Sequence, residues 1–522
     1  MNYGVFSQNQ WIYPDIDPKE GKKEISLNCV GNSYGCVQVL CECVESLTVK
    51  WSGDSFLEPE INQLIPVRVE KNCADGWETI VAPGTPAPHA TKQAPFEVFD
   101  PMEPVAGNIL PGEKRVAALY IKWCTKGIGA GKYSGCLIIT NPEEILTIPV
   151  TINVSAVSVP ENGKLRVTNW YDLNDMADFH GVERWSEEHW EMIKEYAKTM
   201  RVCRQTDFMT HCKLATRTVT SDGEYVFDFT RTKRFIEIFL SEGFTNIEGE
   251  TMVCRANWGS SEFLVRWGKE KYPALSEEGL KLIKSYYSQW YVFLKENNWL
   301  DNATQHVADE PHDGCAEDYC KLAKIFKEIL PGIPLVDAVE TTNIDGAIDI
   351  CVPKSIGYVN DREGYDRLKK DMECWYYTCC FPGGTYLNRL LDLDLIRTRY
   401  LHWANYLYGF TGYLHWGFSY YHTNGDNPFV LAGDLVDGHM GQILPAGDTH
   451  IVYPKGKIVL RSVRLEAMRS GIEDYELLMM LAEKSPETAM ELVKKCVRSF
   501  TDYDTDTDVF EEIYRLLIEN LL

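Results

Sequence analysis

The sequence predicts an α/β protein built on a (β/α)8 TIM-like barrel, with an all-β sandwich before it and helices after it. Three observations predict this. Strand-like runs crowd the first 160 residues with no helical pattern between them. After Lys164, strand and helix patterns alternate, and from Lys457 apolar residues recur at helical spacing. The expected domains are 1–160, a catalytic barrel at 164–456, and C-terminal helices at 457–522 that pack on it.

In the first region, Ser46–Trp51, Leu64–Val69, Val116–Trp123, Gly135–Thr140 and Leu146–Val154 are short runs rich in β-branched residues, separated by turn signals. Several such strands in a row predict two packed antiparallel sheets. The stretch Ser155-Ala-Val-Ser-Val-Pro-Glu-Asn-Gly163 is the expected linker, and Trp51 and Trp77 are assigned structural roles.

Eight strand candidates follow: Leu165–Trp170, Val202–Asp207, Thr245–Glu250, Thr304–Asp309, Pro334–Ala338, Ala347–Val352, Glu373–Thr378 and Gly412–Phe418. The clearest helix between them places Leu280, Ile283, Tyr287, Trp290 and Leu294 on one face and opens at Ser276-Glu-Glu278. Another buries Tyr319, Leu322, Ile325, Phe326 and Ile329 and stops at Leu330-Pro-Gly332. Sites on such barrels lie at the C-terminal ends of the strands. In the tail, a helix is expected from near Val459 and a last one after Asp508.

Composition excludes several classes. A net charge of −24 repels nucleic acid and anionic membranes. No apolar run reaches the ~18 residues of a membrane span, and no signal peptide is visible, which with 17 scattered cysteines points to the cytoplasm. No Cys/His spacing indicates a metal, and no cofactor or oligomeric state is assigned. Asp502-Tyr-Asp-Thr-Asp-Thr-Asp508 lacks the glycine and the closing glutamate of a calcium loop, so its carboxylates are expected to cap the next helix.

The most informative segment is Gln305-His-Val-Ala-Asp-Glu-Pro311, a strand running into two carboxylates. Neighbouring strand residues point to opposite faces, so Asp309 and Glu310 are not expected to flank one bond as an acid and nucleophile pair. Placed together, they keep one carboxyl protonated near neutrality, which suits a general acid beside a charged group. A solvated strand end or a helix N-cap fits the same three residues. The aromatic strand ends Trp170-Tyr171, Cys374-Trp-Tyr-Tyr-Thr378 and Gly412–Tyr421 would ring the same rim, and their flat faces suit pyranose rings. His306, His415, His180 and His402 form no metal or triad pattern and are expected to hydrogen-bond structure or substrate.

Four segments, Ala308-Asp-Glu-Pro311, Glu373–Cys379, Thr411–Phe418 and Ser462-Val-Arg-Leu-Glu-Ala-Met-Arg-Ser-Gly-Ile-Glu-Asp-Tyr-Glu476, together resemble glycoside hydrolase family 123 over roughly 165–485. The resemblance implies an exo-acting β-N-acetylgalactosaminidase, in which the substrate's own 2-acetamido oxygen attacks the anomeric carbon. Glu310 would be the general acid and Asp309 would hold the acetamido N–H, an exception to the two-carboxylate scheme. Trp375, Tyr376, Tyr377, Trp416, Tyr420, Asn388, His306 and Trp170 would line or support the sugar subsite. The partner implied is a glycan ending in an N-acetylhexosamine. Arg464, Glu466, Glu473, Asp474 and Glu476 of the last segment are expected to brace the barrel. Two alternatives remain: a conventional retaining glycosidase with Glu248, Glu250 or Glu340 as nucleophile, and a non-catalytic carbohydrate-binding protein.

Overall fold

The computed structural model describes residues 1–43, 45–82, 84–112, 115–433 and 443–522. It is a mixed α/β fold with a β-rich N-terminal region and C-terminal helices. In the N-terminal region, four strands (Ile25–Gly31, Thr48–Ser52, Gly131–Thr140, Ile145–Ser158) form one sheet. Along Ile145–Ser158 the residues Ile148, Val150, Ile152 and Val154 are buried, while Thr147 and Pro149 are exposed and Thr151 and Asn153 half-buried. That period of two turns one face inward against a second sheet.

The second sheet contains Tyr3–Ser7, Tyr34–Glu42, Glu60–Val69, Phe96–Pro104 and Val116–Cys124. Strand Tyr34–Glu42 is buried on both faces. Val37, Val39 and Cys41 meet the first sheet, whereas Cys36 and Leu40 meet Val463 and Ala467 of the long helix Val463–Lys484. Chain from the far end joins this sheet: Ile458–Ser462 pairs antiparallel with Phe96–Pro104, and Val430–Leu431 pairs parallel with Glu60–Val69. The helix expected from Val459 therefore begins only at Val463, capped by the Ser462 hydroxyl, which accepts from Leu465 N at 3.1 Å. Its charged residues from Arg464 to Glu476 are buried, several of them in ion pairs. Arg464 meets Asp100 at 2.9 Å, Glu473 meets Arg204 at 2.8 Å, and Asp474 meets Arg399 at 2.6 Å. Glu476 accepts from the backbone N–H groups of Lys164 and Leu165, where the next region begins.

Eight parallel strands follow: β1 (Arg166–Asn169), β2 (Asp207–Thr210), β3 (Asn246–Gly249), β4 (Ala303–Gln305), β5 (Val336–Val339), β6 (Ile350–Pro353), β7 (Glu373–Tyr377) and β8 (Gly412–His415). They pair as two sheets, β2-β3-β4 and β1-β8-β7-β6-β5, rather than as one unbroken ring. Hydrogen bonds cross both seams, among them Thr206 N to Val167 O at 3.1 Å and Gln305 N to Pro334 O at 3.0 Å. Between β5 and β6 the connection carries no α-helix. Asp506 accepts from Asp508 N and Val509 N, capping the last helix Thr507–Leu521. Among the described residues, no helix is long and apolar enough to cross a membrane.

Candidate active site

The C-terminal ends of β1, β4, β5, β6, β7 and β8 converge on a cavity of about 450 Å³. Aromatic side chains contribute much of its wall: Trp170 follows β1, Tyr377 ends β7, and Trp416 and Tyr420 follow β8. Trp416 packs against Tyr420 at 5.2 Å between centroids and donates its indole N–H to Asp448 at 3.1 Å. Trp170 is fixed from behind, its indole N–H donating to Glu248 Oε1 at 2.9 Å.

Asp309 and Glu310 both line this cavity. The strand expected to carry them ends at Gln305, so the alternation of a strand does not govern them. Instead, Val307 N and Ala308 N donate to Asp337 Oδ2 at 3.0 and 3.1 Å, and Glu310 N donates to Ala338 O at 3.0 Å. Glu310 adopts φ +48°, a left-handed conformation that costs a non-glycine residue about 1–3 kcal/mol. That turn brings two consecutive carboxyls into one chamber.

Their environments differ. Glu310 accepts the Tyr377 hydroxyl on Oε1, and its oxygens lie 3.4 Å from Lys354 Nζ and 3.6 Å from Arg255 Nη2. Burial opposes its ionisation, yet Lys354, the Tyr377 hydroxyl and Arg255 outweigh it and hold the carboxyl below its ordinary range. Asp309 is pushed up to about 8 by burial first, then by the charges of Glu310 and Asp337. Among the described residues, its carboxyl has no hydrogen-bond partner. The pair thus shares one proton at neutral pH, and in the free protein that proton sits on Asp309.

Of the sequence-predicted residues, Asp309, Glu310, Trp170, Tyr377, Trp416 and Tyr420 meet at the cavity, and the other four do not line it. Trp375 points into the strand interior one layer below Tyr377, donating to Glu373 Oε1 at 2.8 Å beneath the Arg166 guanidinium. Tyr376, on the opposite face of β7, donates to Leu401 O in the helix Ile396–Tyr408. Asn388 is buried and holds the Cys379 and Pro382 carbonyls at 2.9 Å each. His306 is clamped between Asp337 (2.8 Å) and Glu248 (2.7 Å). Burial opposes its charge, but those two bonds push its pKa up to about 10, so it is an imidazolium.

Sequence reasoning missed Arg255, Trp258 and Lys354, and it weighed Glu340 only as an alternative. Lys354 directly follows β6, and the rule that barrel sites lie at strand ends would have flagged it. Arg255 and Trp258 belong to a hairpin inserted after β3 (Val253–Arg255, Phe263–Trp267), which no periodicity announces. Among the alternative nucleophiles, Glu248 is fully buried, Glu250 binds His211 and Cys212 N, and Glu340 lines the cavity 2.8 Å from Lys354 Nζ.

The model of the glycoside hydrolase 123 catalytic domain matches residues 170–481. A search of curated proteins finds no match. Among solved structures, the chain is similar to a family 123 glycoside hydrolase from Clostridium perfringens, studied for glycolipid glycan hydrolysis. The TM-score is 0.76 at 14% identity, covering 99% of this chain and 97% of that one. A Thermotoga petrophila endo-β-1,4-mannanase aligns at TM-score 0.38 and 11% identity, over 60% of this chain and 77% of that one. A Parabacteroides merdae β-glucuronidase aligns at 0.32 and 10%, over 82% and 49%.

Proposed function

The chain belongs to glycoside hydrolase family 123 and is a glycosidase acting on glycans, and we propose that it removes terminal β-linked N-acetylhexosamine, N-acetylgalactosamine first, with the substrate's acetamide as nucleophile. The two parallel sheets are read as arcs of one (β/α)8 barrel, with the substrate at its C-terminal rim. The domain limits of 1–160, 164–456 and 457–522 stand as part of the same proposal.

One observation carries the mechanism: two adjacent carboxyls of opposite proton preference share a chamber walled by Trp170, Trp416 and Tyr420. In the proposed sequence, the acetamido N–H donates to Asp309 and favours its anion, so the shared proton passes to Glu310. Glu310 then protonates the leaving oxygen while the acetamide oxygen closes on the anomeric carbon. The positive oxazolinium that forms is balanced by Asp309. Glu310, now anionic, takes a proton from water as the water opens the ring, and the β-configuration is retained. The Tyr377 hydroxyl is committed to Glu310, whereas that of Tyr420 has no hydrogen-bond partner among the described residues. Tyr420 is therefore assigned to the acetamide oxygen. Trp375, Tyr376, Asn388 and His306 are assigned to supporting the walls rather than touching the sugar.

A conventional retaining mechanism has one observation in its favour, Glu340 at the cavity wall. Glu340 and Glu310 bind the same Lys354 ammonium, at 2.8 and 3.4 Å, so substrate preference rather than their spacing decides between the mechanisms. Turnover of p-nitrophenyl β-N-acetylgalactosaminide, its N-acetylglucosaminide analogue and the plain β-galactoside separates the two. Cleavage of acetamido sugars alone supports substrate assistance. Cleavage of the plain galactoside, abolished in Glu340→Gln, would overturn it.

A further inference from the structure

Of the 14 tryptophans, two are exposed among the described residues, Trp77 at 54% and Trp258 at 49%. Each stands beside one of the two cations that flank Glu310. The Arg255 guanidinium lies 5.0 Å from the Trp258 ring, and Lys354 Nζ lies 6.0 Å from the Trp77 ring. Neither indole comes from a barrel strand: Trp77 belongs to the N-terminal β-rich region, where a structural role was expected, and Trp258 to the hairpin after β3. An indole left half in water gives up burial that packing would reward, so its place needs another cause.

On the Trp77 side a pair of rings links the cavity wall to the surface. Phe381 lines the cavity under Lys354, 4.0 Å from Nζ, and packs against Trp77 at 5.5 Å. Beyond Trp77 a shallow groove opens, edged by Asp75, Thr385 and Tyr386, whose polar atoms suit sugar hydroxyls. The acid must touch the leaving oxygen, so whatever is bonded to that oxygen continues outward past Glu310 and its cations.

We propose that Trp77, with Phe381, and Trp258 form the leaving-group subsites, each offering an aromatic face to a sugar ring on the departing side. The N-terminal β-rich region would contribute directly to specificity. This rests on the hexosaminidase mechanism above.

The test compares kcat/KM for p-nitrophenyl β-N-acetylgalactosaminide and for a β-N-acetylgalactosaminyl-lactose trisaccharide, in wild type, Trp77→Ala, Trp77→Tyr and Trp258→Ala. The expected result is a fall of about tenfold in the trisaccharide-to-aryl ratio for each alanine variant, the order of one lost stacking contact, with Trp77→Tyr retaining most of it. An unchanged ratio in both alanine variants overturns the proposal. Failure of the functional reading looks different: wild type then cuts neither substrate. In that event, saturation-transfer NMR contacts to the trisaccharide decide, and binding that survives both alanine substitutions, or is absent from wild type, also overturns the subsite.

Discussion

The ammonium of Lys354 lies 3.4 Å from Glu310 Oε1, so the residue assigned as acid is held as an anion in the free protein while its neighbour Asp309 keeps the proton. Catalysis by the singly protonated pair then predicts a bell in kcat/KM. The upper limb falls as pH rises through about 8, where Asp309 loses the last proton. The lower limb lies below the ordinary glutamate value of 4.5, because Glu310 resists protonation. Lys354→Met removes the cation that favours the anion, so the acid limb moves to higher pH. A pH profile of the variant with an unmoved acid limb rules out this electrostatic account.

Glu310→Gln separates acid catalysis from binding. A sugar leaving group needs its oxygen protonated as the bond breaks, whereas a 2,4-dinitrophenolate leaves unaided. The expected loss is about 10³-fold in kcat on an oligosaccharide, within the usual range for a general acid, and about tenfold or less on the dinitrophenyl glycoside. Stopped-flow and steady-state rates on both substrates check this. Equal losses on the two would remove Glu310 from the acid role.

His306 holds two buried carboxylates, Glu248 and Asp337, which in turn hold Trp170 and the backbone that leads to Asp309. His306→Leu strands both charges, a change that costs about 3–5 kcal/mol when a buried pair is broken. Urea unfolding at pH 7 measures it, and a loss under about 1 kcal/mol excludes the charged arrangement. The sign follows from its raised pKa: the contribution is fully present below the ordinary value of 6.5 and is lost as pH rises through about 10.

Much of this architecture was legible in the sequence, and the exceptions have physical causes. All eight barrel-strand candidates overlap observed strands, except that Val202–Asp207 and Thr304–Asp309 were placed about one strand length out of step at one end. Val202 ends a helix and Asp207 begins β2, because the four-residue turn Cys203-Arg-Gln-Thr206 between them has no periodicity to read. Asp309 and Glu310 stand out in the sequence by their chemistry, but their shared chamber depends on φ +48° at Glu310, which no local pattern encodes. Trp375 and Tyr377 were equally aromatic in sequence, and only their depth along β7 separates a packed layer from a cavity wall. Arg255 and Trp258 reach the site from an insertion, where contact is wholly tertiary.

The sheet shared by the two ends of the chain predicts that residues 1–160 do not fold alone. Leu40, Leu64, Val98 and Tyr120 on its second face are covered by Val463 and Ala467, and Phe96–Pro104 is paired by Ile458–Ser462. Removing that cover exposes an apolar face and a sheet edge together, the combination that drives aggregation. Inside the same interface, Arg464 is fully buried against Asp100, so Arg464→Met leaves a buried carboxylate unpaired and costs about 3–5 kcal/mol. The intact chain should therefore unfold in one calorimetric transition, with fragment 1–160 insoluble and Arg464→Met lowering the midpoint of that single transition. Two separate transitions, with only the later one moved by Arg464→Met, would show instead that the β-rich region stands without the helix that covers it.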